Sequence, residues 1–171
     1  KIILYAGGKP GINWVAAEEE YTDVLIGRFE EFDTDDVEAT VKNLMKTNPR
    51  LGSERVRGGQ FVEIPIRHTL SVPVADGYAA IGDSAFMPVP LIGSGMANAF
   101  RASRILADTI IADTDGKYTV DKLWDYAAKY HKELGAGLAT LECVRSTLLQ
   151  LKPQDVEFVF ESNIVNSKDL T

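Results

Sequence analysis

Residues 77–108 read GYAAIGDSAFMPVPLIGSGMANAFRASRILAD, and the fold turns on how this stretch is taken. GYAAIG is short, apolar and bounded by glycine, which predicts a central strand covered on both faces. Asp83 follows at its carboxyl end, where open α/β sheets bind ligands, so its carboxylate is expected to face a crevice. A carboxylate repels phosphate but accepts hydrogen bonds from sugar or polyol hydroxyls. Pro88 and Pro90 stiffen the following loop. Gly93, Ser94 and Gly95 then open a helix whose first N–H groups and positive dipole end attract negative charge. Ala97, Ala99, Ala102, Ser103 and Ala107 let that helix lie close to a sheet, and the two glycines let backbone approach a flat ring.

Around this stretch, the bulk composition narrows the classes. The sequence has 171 residues, 45% of them hydrophobic, enough for one domain or two lobes and too apolar for dominant disorder. A net charge of −7 provides no basic footprint for nucleic acid or an anionic lipid surface. The single cysteine, Cys143, excludes an internal disulfide framework, and no cysteine–histidine spacing suits zinc. No apolar run reaches membrane-spanning length, so no transmembrane segment is expected. A reducing, cytoplasmic setting is expected, free or peripheral to a membrane.

Upstream, residues 1–6, 12–17 and 22–29 read as three strands of an antiparallel meander, with Val24, Ile26 and Arg28 alternating against Leu25 and Gly27. The turn AGGKPG between the first two has the wrong spacing for a dinucleotide fingerprint and contains Pro10. The acidic run 30–36 reads as a helix entry, and Val37, Val41, Leu44 and Met45 keep helical spacing up to Asn48-Pro49. No calcium loop fits there. Arg50, Arg55 and Arg57 lie in a polar connection, read as solvated or as an anion clamp, and residues 60–66 alternate as another strand. Downstream, residues 120–131, 134–150 and 154–160 read as helices, with Lys152-Pro153 dividing the last two.

A ligand with polyol hydroxyls beside a ring that becomes anionic on reduction is a flavin, which is the physical reading of residues 82–96. Gly82, Asp83, Ala85, Pro90, Gly93 and Gly95 also match, in order and spacing, the pattern G-D-A-A, Pro, G-x-G. In this the sequence resembles the second FAD motif of the glutathione-reductase-like flavoproteins. The geranylgeranyl reductase and FixC-like branch is most similar, with strand pairs such as INWVAA and TDVLIG upstream and a helical tail downstream. Phe86 stands where aromatic hydroxylases commonly have His, and Ser94 where the reductase branch frequently has Gly. The resemblance implies that Asp83 binds the ribityl hydroxyls, and that Gly82, Pro90 and the Gly93, Ser94, Gly95 and Met96 backbone frame the ring. It also implies an α+β chain: residues 1–76 as part of a substrate-binding sheet domain, 77–113 as the last strand and helix of an FAD-binding domain, and 114–171 as a helical C-terminal region. The G-x-G-x-x-G unit that grips the ADP half of FAD in these families is absent from the sequence, so the chain corresponds to a C-terminal half, and the N-terminal half is its expected partner.

The implied function is that of an FAD-dependent oxidoreductase with a small, apolar substrate and NAD(P)H or another electron donor. The alternatives are a non-catalytic α+β module binding a ligand or protein partner at the same crevice, and an aromatic monooxygenase. Trp14 and His68 are candidates for the substrate pocket, the first as an aromatic wall and the second as a proton donor that lacks an identified carboxylate partner. No side chain stands out as a catalytic acid or base. Cys143 reads as a buried apolar side chain, and Trp124, Tyr126 and Tyr130 as a helix packing face.

Overall fold

The computed structural model describes residues 2–5, 11–17, 19–29, 33–55, 59, 61–152, 154–155, 158 and 161–162, in two compact units, Lys1–Val62 and Glu63–Thr171. Both units mix helices with small antiparallel sheets, so the chain is α+β.

In the first unit, β1 (Ile2–Tyr5), β2 (Gly11–Ala17) and β3 (Thr22–Arg28) form a sheet in that order, both pairings antiparallel, with Trp14 opposite Leu4 and Leu25. The expected meander is therefore present, while its first turn, residues 6–10, lies outside the described residues. The alternation in β3 holds, since Asp23 and Leu25 are exposed and Val24 and Ile26 are half-buried. Helix α1 (Thr34–Thr47) begins where the acidic run predicts. The Asp33 carboxylate accepts from the N–H groups of Asp35 and Asp36 at 2.9 and 3.4 Å, satisfying two orphan donors of the first turn. The helix ends at Asn48. Its Glu38 pairs with Arg55 at 2.6 Å, and this guanidinium holds the carboxyl below its usual range, so Arg55 acts within the unit. Arg57 lies outside the described residues.

Arg28 ties the sheet to α1. Its side chain is only 6% exposed, and it donates to Asp36 Oδ2 at 2.7 Å, Asn13 Oδ1 at 2.8 Å, Thr40 Oγ1 at 3.1 Å and the Gly27 carbonyl at 2.9 Å. A buried guanidinium is tolerated when its forked donors are satisfied in this way.

Across the boundary of the two units, residues 61–66 form no strand; Phe61 and Val62 are more than 60% exposed. Pro65 removes a ladder donor from that alternating run, which corrects the strand reading of 60–66 over residues 61–66, residue 60 lying outside the described residues. The central strand expected at 77–82 is also corrected. Only Tyr78–Ala79 (β5) is strand, paired antiparallel to Val74–Ala75 (β4), and Tyr78 is 54% exposed. Asp76-Gly77 is a two-residue hairpin turn, with Gly77 at φ +68, and this local closure decides the pairing.

Helices α2 (Met96–Ala112) and α3 (Val120–Tyr130) pack together, and a single π turn, His131–Gly135, carries α3 into α4 (Ala136–Leu148). The expected break at 132–133 is absent: the wider turn absorbs the change without stopping the helix. At 154–160, residues 154, 155 and 158 are helical and the others lie outside the described residues. The Asp76 carboxylate caps α3 from a distance, accepting from Val120 N at 2.7 Å. Lys122 pairs with Asp113 and Asp115 in the loop before it.

The core gathers Val74, Ala80, Ala85, Met87, Ala102, Ile105, Leu123, Tyr126, Tyr130, Leu134 and Leu138. Tyr126 and Tyr130 are fully buried at i and i+4, and the Tyr126 hydroxyl donates to the Ala80 carbonyl at 2.8 Å. Burial pushes both phenols up. Trp124 is off this stripe and half exposed, and Cys143 is exposed rather than buried, because α4 turns Leu138 and Glu142 inward instead. Glu142 is 6% exposed and bound by both arms of Arg145, at 2.9 and 2.6 Å. Among the described residues no helix is long and apolar enough to cross a membrane.

Two predictions follow from these buried charges. Arg28→Ala removes the guanidinium that Asp36, Asn13 and Thr40 share and is expected to cost about 2–4 kcal/mol in urea unfolding of the chain; an unchanged midpoint would show that the cluster contributes nothing. For Glu142, Arg145 first, opposed by burial and aided by His68, holds the carboxyl below its ordinary value of 4.5. A depressed folded pKa means that the stabilisation is complete above 4.5 and is lost as pH falls through the lower folded value. Arg145→Gln is therefore expected to flatten the acid-side loss of thermal stability, measured from about pH 5 downward.

Candidate functional site

The residues that the sequence singles out between 82 and 96 are brought together by a loop closed on itself. A 3₁₀ turn, Gly82–Ala85, follows β5, with Gly82 at φ +63. Phe86 adopts φ +53, its N–H donating to the Asp83 carbonyl at 3.0 Å, and Met87 N donates to the Gly82 carbonyl at 3.1 Å. Phe86 thereby occupies a left-handed conformation that a bulky residue adopts only when its surroundings impose it. Arg67 covers its ring, with the guanidinium carbon 4.7 Å from the centroid. Met87, Pro88 and Pro90 are fully buried.

Beyond them the loop turns back. Val89 N donates to the Ser94 carbonyl at 2.8 Å, and Gly93 N donates to the Val89 carbonyl at 2.8 Å. Gly93, at φ +71, faces Ile64 and Ile66. The Asn98 amide donates to the Met87 carbonyl at 2.9 Å, fastening the loop to the first turn of α2.

Gly95 is where these parts converge. A Cβ built on it would lie 3.3 Å from Pro88 Cγ and 3.6 Å from Asp83 Oδ1, so the carboxylate stands beside the bare backbone that starts α2. Asp83 itself is exposed. Among the described residues no side chain caps α2, whose N-cap is Gly95, which leaves its first-turn N–H groups for a ligand. Met96 is 78% exposed and Phe100 75%, one turn apart on that helix. Of the small residues expected to press against a sheet, Ala102 is fully buried and Ala99 meets Gly82, whereas Ala97 and Ala107 are exposed. The arrangement thus pairs a hydrogen-bond-accepting carboxylate with a donor-rich helix start, across a backbone left open by glycine.

Trp14 sits half-buried on β2 in the first unit. His68 is exposed and lines a separate open cleft of about 440 Å³ with Thr69, Ser71, His131, Gly135, Ala136 and Ala139. Sequence reasoning missed His131, Thr69 and Glu142. His131 and Glu142 lie on one helical run, and the signal for them was the inward spacing of Gly135, Leu138 and Glu142, legible only with the register of α4. Thr69 gave no sequence signal: its hydroxyl donates to the Ala85 carbonyl at 2.8 Å and meets the Tyr130 hydroxyl.

No family model matches the chain. It is 31% identical over 116 residues to a digeranylgeranylglycerophospholipid reductase of Sulfolobus acidocaldarius, covering 67% of this chain and 25% of that protein. It is 29% identical over 120 residues to a protein of the same name from Methanothrix thermoacetophila, covering 69% and 29%. The chain therefore spans only a quarter to three tenths of the length of these relatives. In fold it is similar to a geranylgeranyl bacteriochlorophyll reductase-like protein from Thermoplasma acidophilum, with a TM-score of 0.74 and 18% identity over 92% of this chain and 41% of that one. The third protein shares the fold alone, and it is by the stretch of sequence shared with the two relatives that the chain belongs to the geranylgeranyl reductase-like family.

Proposed function

We propose that the chain is the flavin-ring and substrate-side portion of an FAD-dependent reductase acting on an unsaturated isoprenoid lipid. The observation that carries this reading is the position of Asp83 Oδ1, 3.6 Å from where Gly95 would bear a side chain. A methyl group at Gly95 would enter the space that a ring needs to reach the α2 backbone, so the residues present fit the cofactor. When bound, the flavin supplies hydride or electron transfer.

The chain's own residues bind and orient. The Asp83 carboxylate accepts from ribityl hydroxyls, and the N–H groups at the start of α2 face the end of the ring that gains negative charge, stabilising it electrostatically. Buried Pro88 and Pro90 fix the loop between these two contacts. Gly82, Gly93 and Ser94 shape its backbone, and Met96 projects beside it. The adenosine and pyrophosphate contacts come from the N-terminal half of the complete protein, and NAD(P)H or another donor reduces the flavin. The names of the two relatives support a lipid with geranylgeranyl chains, whose reducible groups are carbon–carbon double bonds, with Trp14 and His68 as substrate-side residues. The setting is cytoplasmic, peripheral to the membrane that holds such a lipid.

FAD titration followed by visible absorption tests this reading, on the chain and on the complete gene product. Losing a charge-assisted hydrogen bond of about 1.5–3 kcal/mol, Asp83→Ala is expected to weaken FAD binding roughly 10- to 100-fold. Gly95→Ala is expected to do so by obstruction, with circular dichroism unchanged. A complete protein that stays colourless with FAD overturns the flavoenzyme reading in favour of a non-catalytic binding module.

A further inference from the structure

Tyr126 and Tyr130 lie one turn apart on α3, both fully buried, with ring centroids 6.2 Å apart. Packing alone asks only for a ring, which phenylalanine would supply without a hydroxyl to satisfy, and a buried hydroxyl is costly unless it finds a partner. Both hydroxyls find one, and both lead to the same short segment. Tyr126 donates to the Ala80 carbonyl at 2.8 Å, just before the 3₁₀ turn that carries Asp83. Tyr130 meets Thr69 Oγ1, which bonds the Ala85 carbonyl at 2.8 Å, at the end of that turn.

The direction of this chain of bonds follows from the protons available. A carbonyl only accepts, so the single Thr69 hydroxyl proton is spent on Ala85 and Tyr130 is the donor to Thr69. Burial pushes both phenols up, so each keeps the proton that it gives. The Ala85 carbonyl also accepts from Leu70 N at 3.2 Å, which occupies its second lone pair. Ala80 and Ala85 are buried, and Asp83 is exposed between them.

The turn's own bonds, Phe86 N to the Asp83 carbonyl and Met87 N to the Gly82 carbonyl, define its shape but not its place. They also hold Phe86 at φ +53, a conformation that a bulky residue keeps only while its surroundings impose it. Place comes from α3, which packs on α2 and bonds both ends of the turn. The Asp83 carboxylate and the start of α2 at Gly95 are therefore referred to one rigid support.

We propose that Tyr126 and Tyr130 are positioning residues for the Asp83 crevice: their hydroxyls, the second acting through Thr69, pin the two ends of the Asp83 turn to α3 and thereby set the affinity of the crevice for its ligand. The identity of that ligand rests on the flavin reading above; the pinning rests on the hydrogen-bond geometry alone.

Tyr126→Phe, Tyr130→Phe and Thr69→Val each remove one hydroxyl and keep the ring or the volume. Without flavin, amide hydrogen exchange of the chain is expected to quicken about tenfold at Phe86 and Met87 and by less than about twofold at Ala99, in the first turn of α2. Thr69→Ser keeps the hydroxyl and is expected to exchange as the unaltered chain does. An equal rise at all three amides, the mark of general destabilisation, or no rise at any of them, overturns the proposal. FAD titration of the complete gene product gives the second readout. Each phenylalanine variant is expected to weaken binding about three- to tenfold, and by less than about twofold when Asp83 is already alanine, because misplacing a carboxylate has no effect once it is gone. The same loss in both backgrounds overturns the proposal. A complete protein that takes up no FAD sinks the flavin reading instead, and the exchange rates then decide by themselves whether the hydroxyls pin the turn.

Discussion

The carbonyl of Ala85 is the constraint on which the second unit depends. It ends a 3₁₀ turn that holds Asp83, and it accepts from Thr69 Oγ1 at 2.8 Å and Leu70 N at 3.2 Å. Thr69 in turn meets the hydroxyl of Tyr130, a side chain with no exposed surface at the end of α3. Each such bond contributes only about 1 kcal/mol net, but leaving a buried partner unsatisfied costs about 1–3 kcal/mol. The turn that presents Asp83 is therefore fixed by the helical part of the unit as well as by its own short bonds.

Absence of a side chain does comparable work at two places. At Gly95 it lets Asp83 and Pro88 stand beside the start of α2, so a carboxylate lies next to a helix start that no side chain caps. At Gly135 it lets the His131 ring fold against the π turn, from which Nε2 reaches the Ser71 carbonyl. Both glycines lie where one element starts or changes pitch, so the missing side chain lets another part of the unit approach the backbone there.

Much of the local structure was legible because it depends on neighbours in sequence. Asp33 and Asn48 mark the ends of α1 through bonds spanning two to four residues, and the three leading strands follow from alternation. The order of Gly82, Asp83, Pro90, Gly93 and Gly95 was legible for the same reason, since the loop closes on itself through Val89, Ser94 and Met87. The failures share a different cause. Residues 77–82 are apolar enough for a central strand, yet Asp76-Gly77 folds them back on Val74 and Ala75. Residues 61–66 alternate, yet Pro65 breaks the ladder, and Cys143 is exposed because the register of α4 turns Glu142 inward.

By itself, the sequence determined the α+β composition, the ends of α1, and the grouping of a carboxylate, two prolines and a glycine-opened helix within fifteen residues. These depend on short-range hydrogen bonding and backbone freedom, which residue type and spacing encode directly. Only the tertiary structure decided that Arg28 would be buried against Asp36 and Asn13, that Glu142 would lie inside with Arg145 and near His68, and that His68 and His131, 63 residues apart in the numbering, would share a cleft. A buried charge or a distant pair is tolerable only when packing supplies its partner, and packing is a property of the folded chain as a whole.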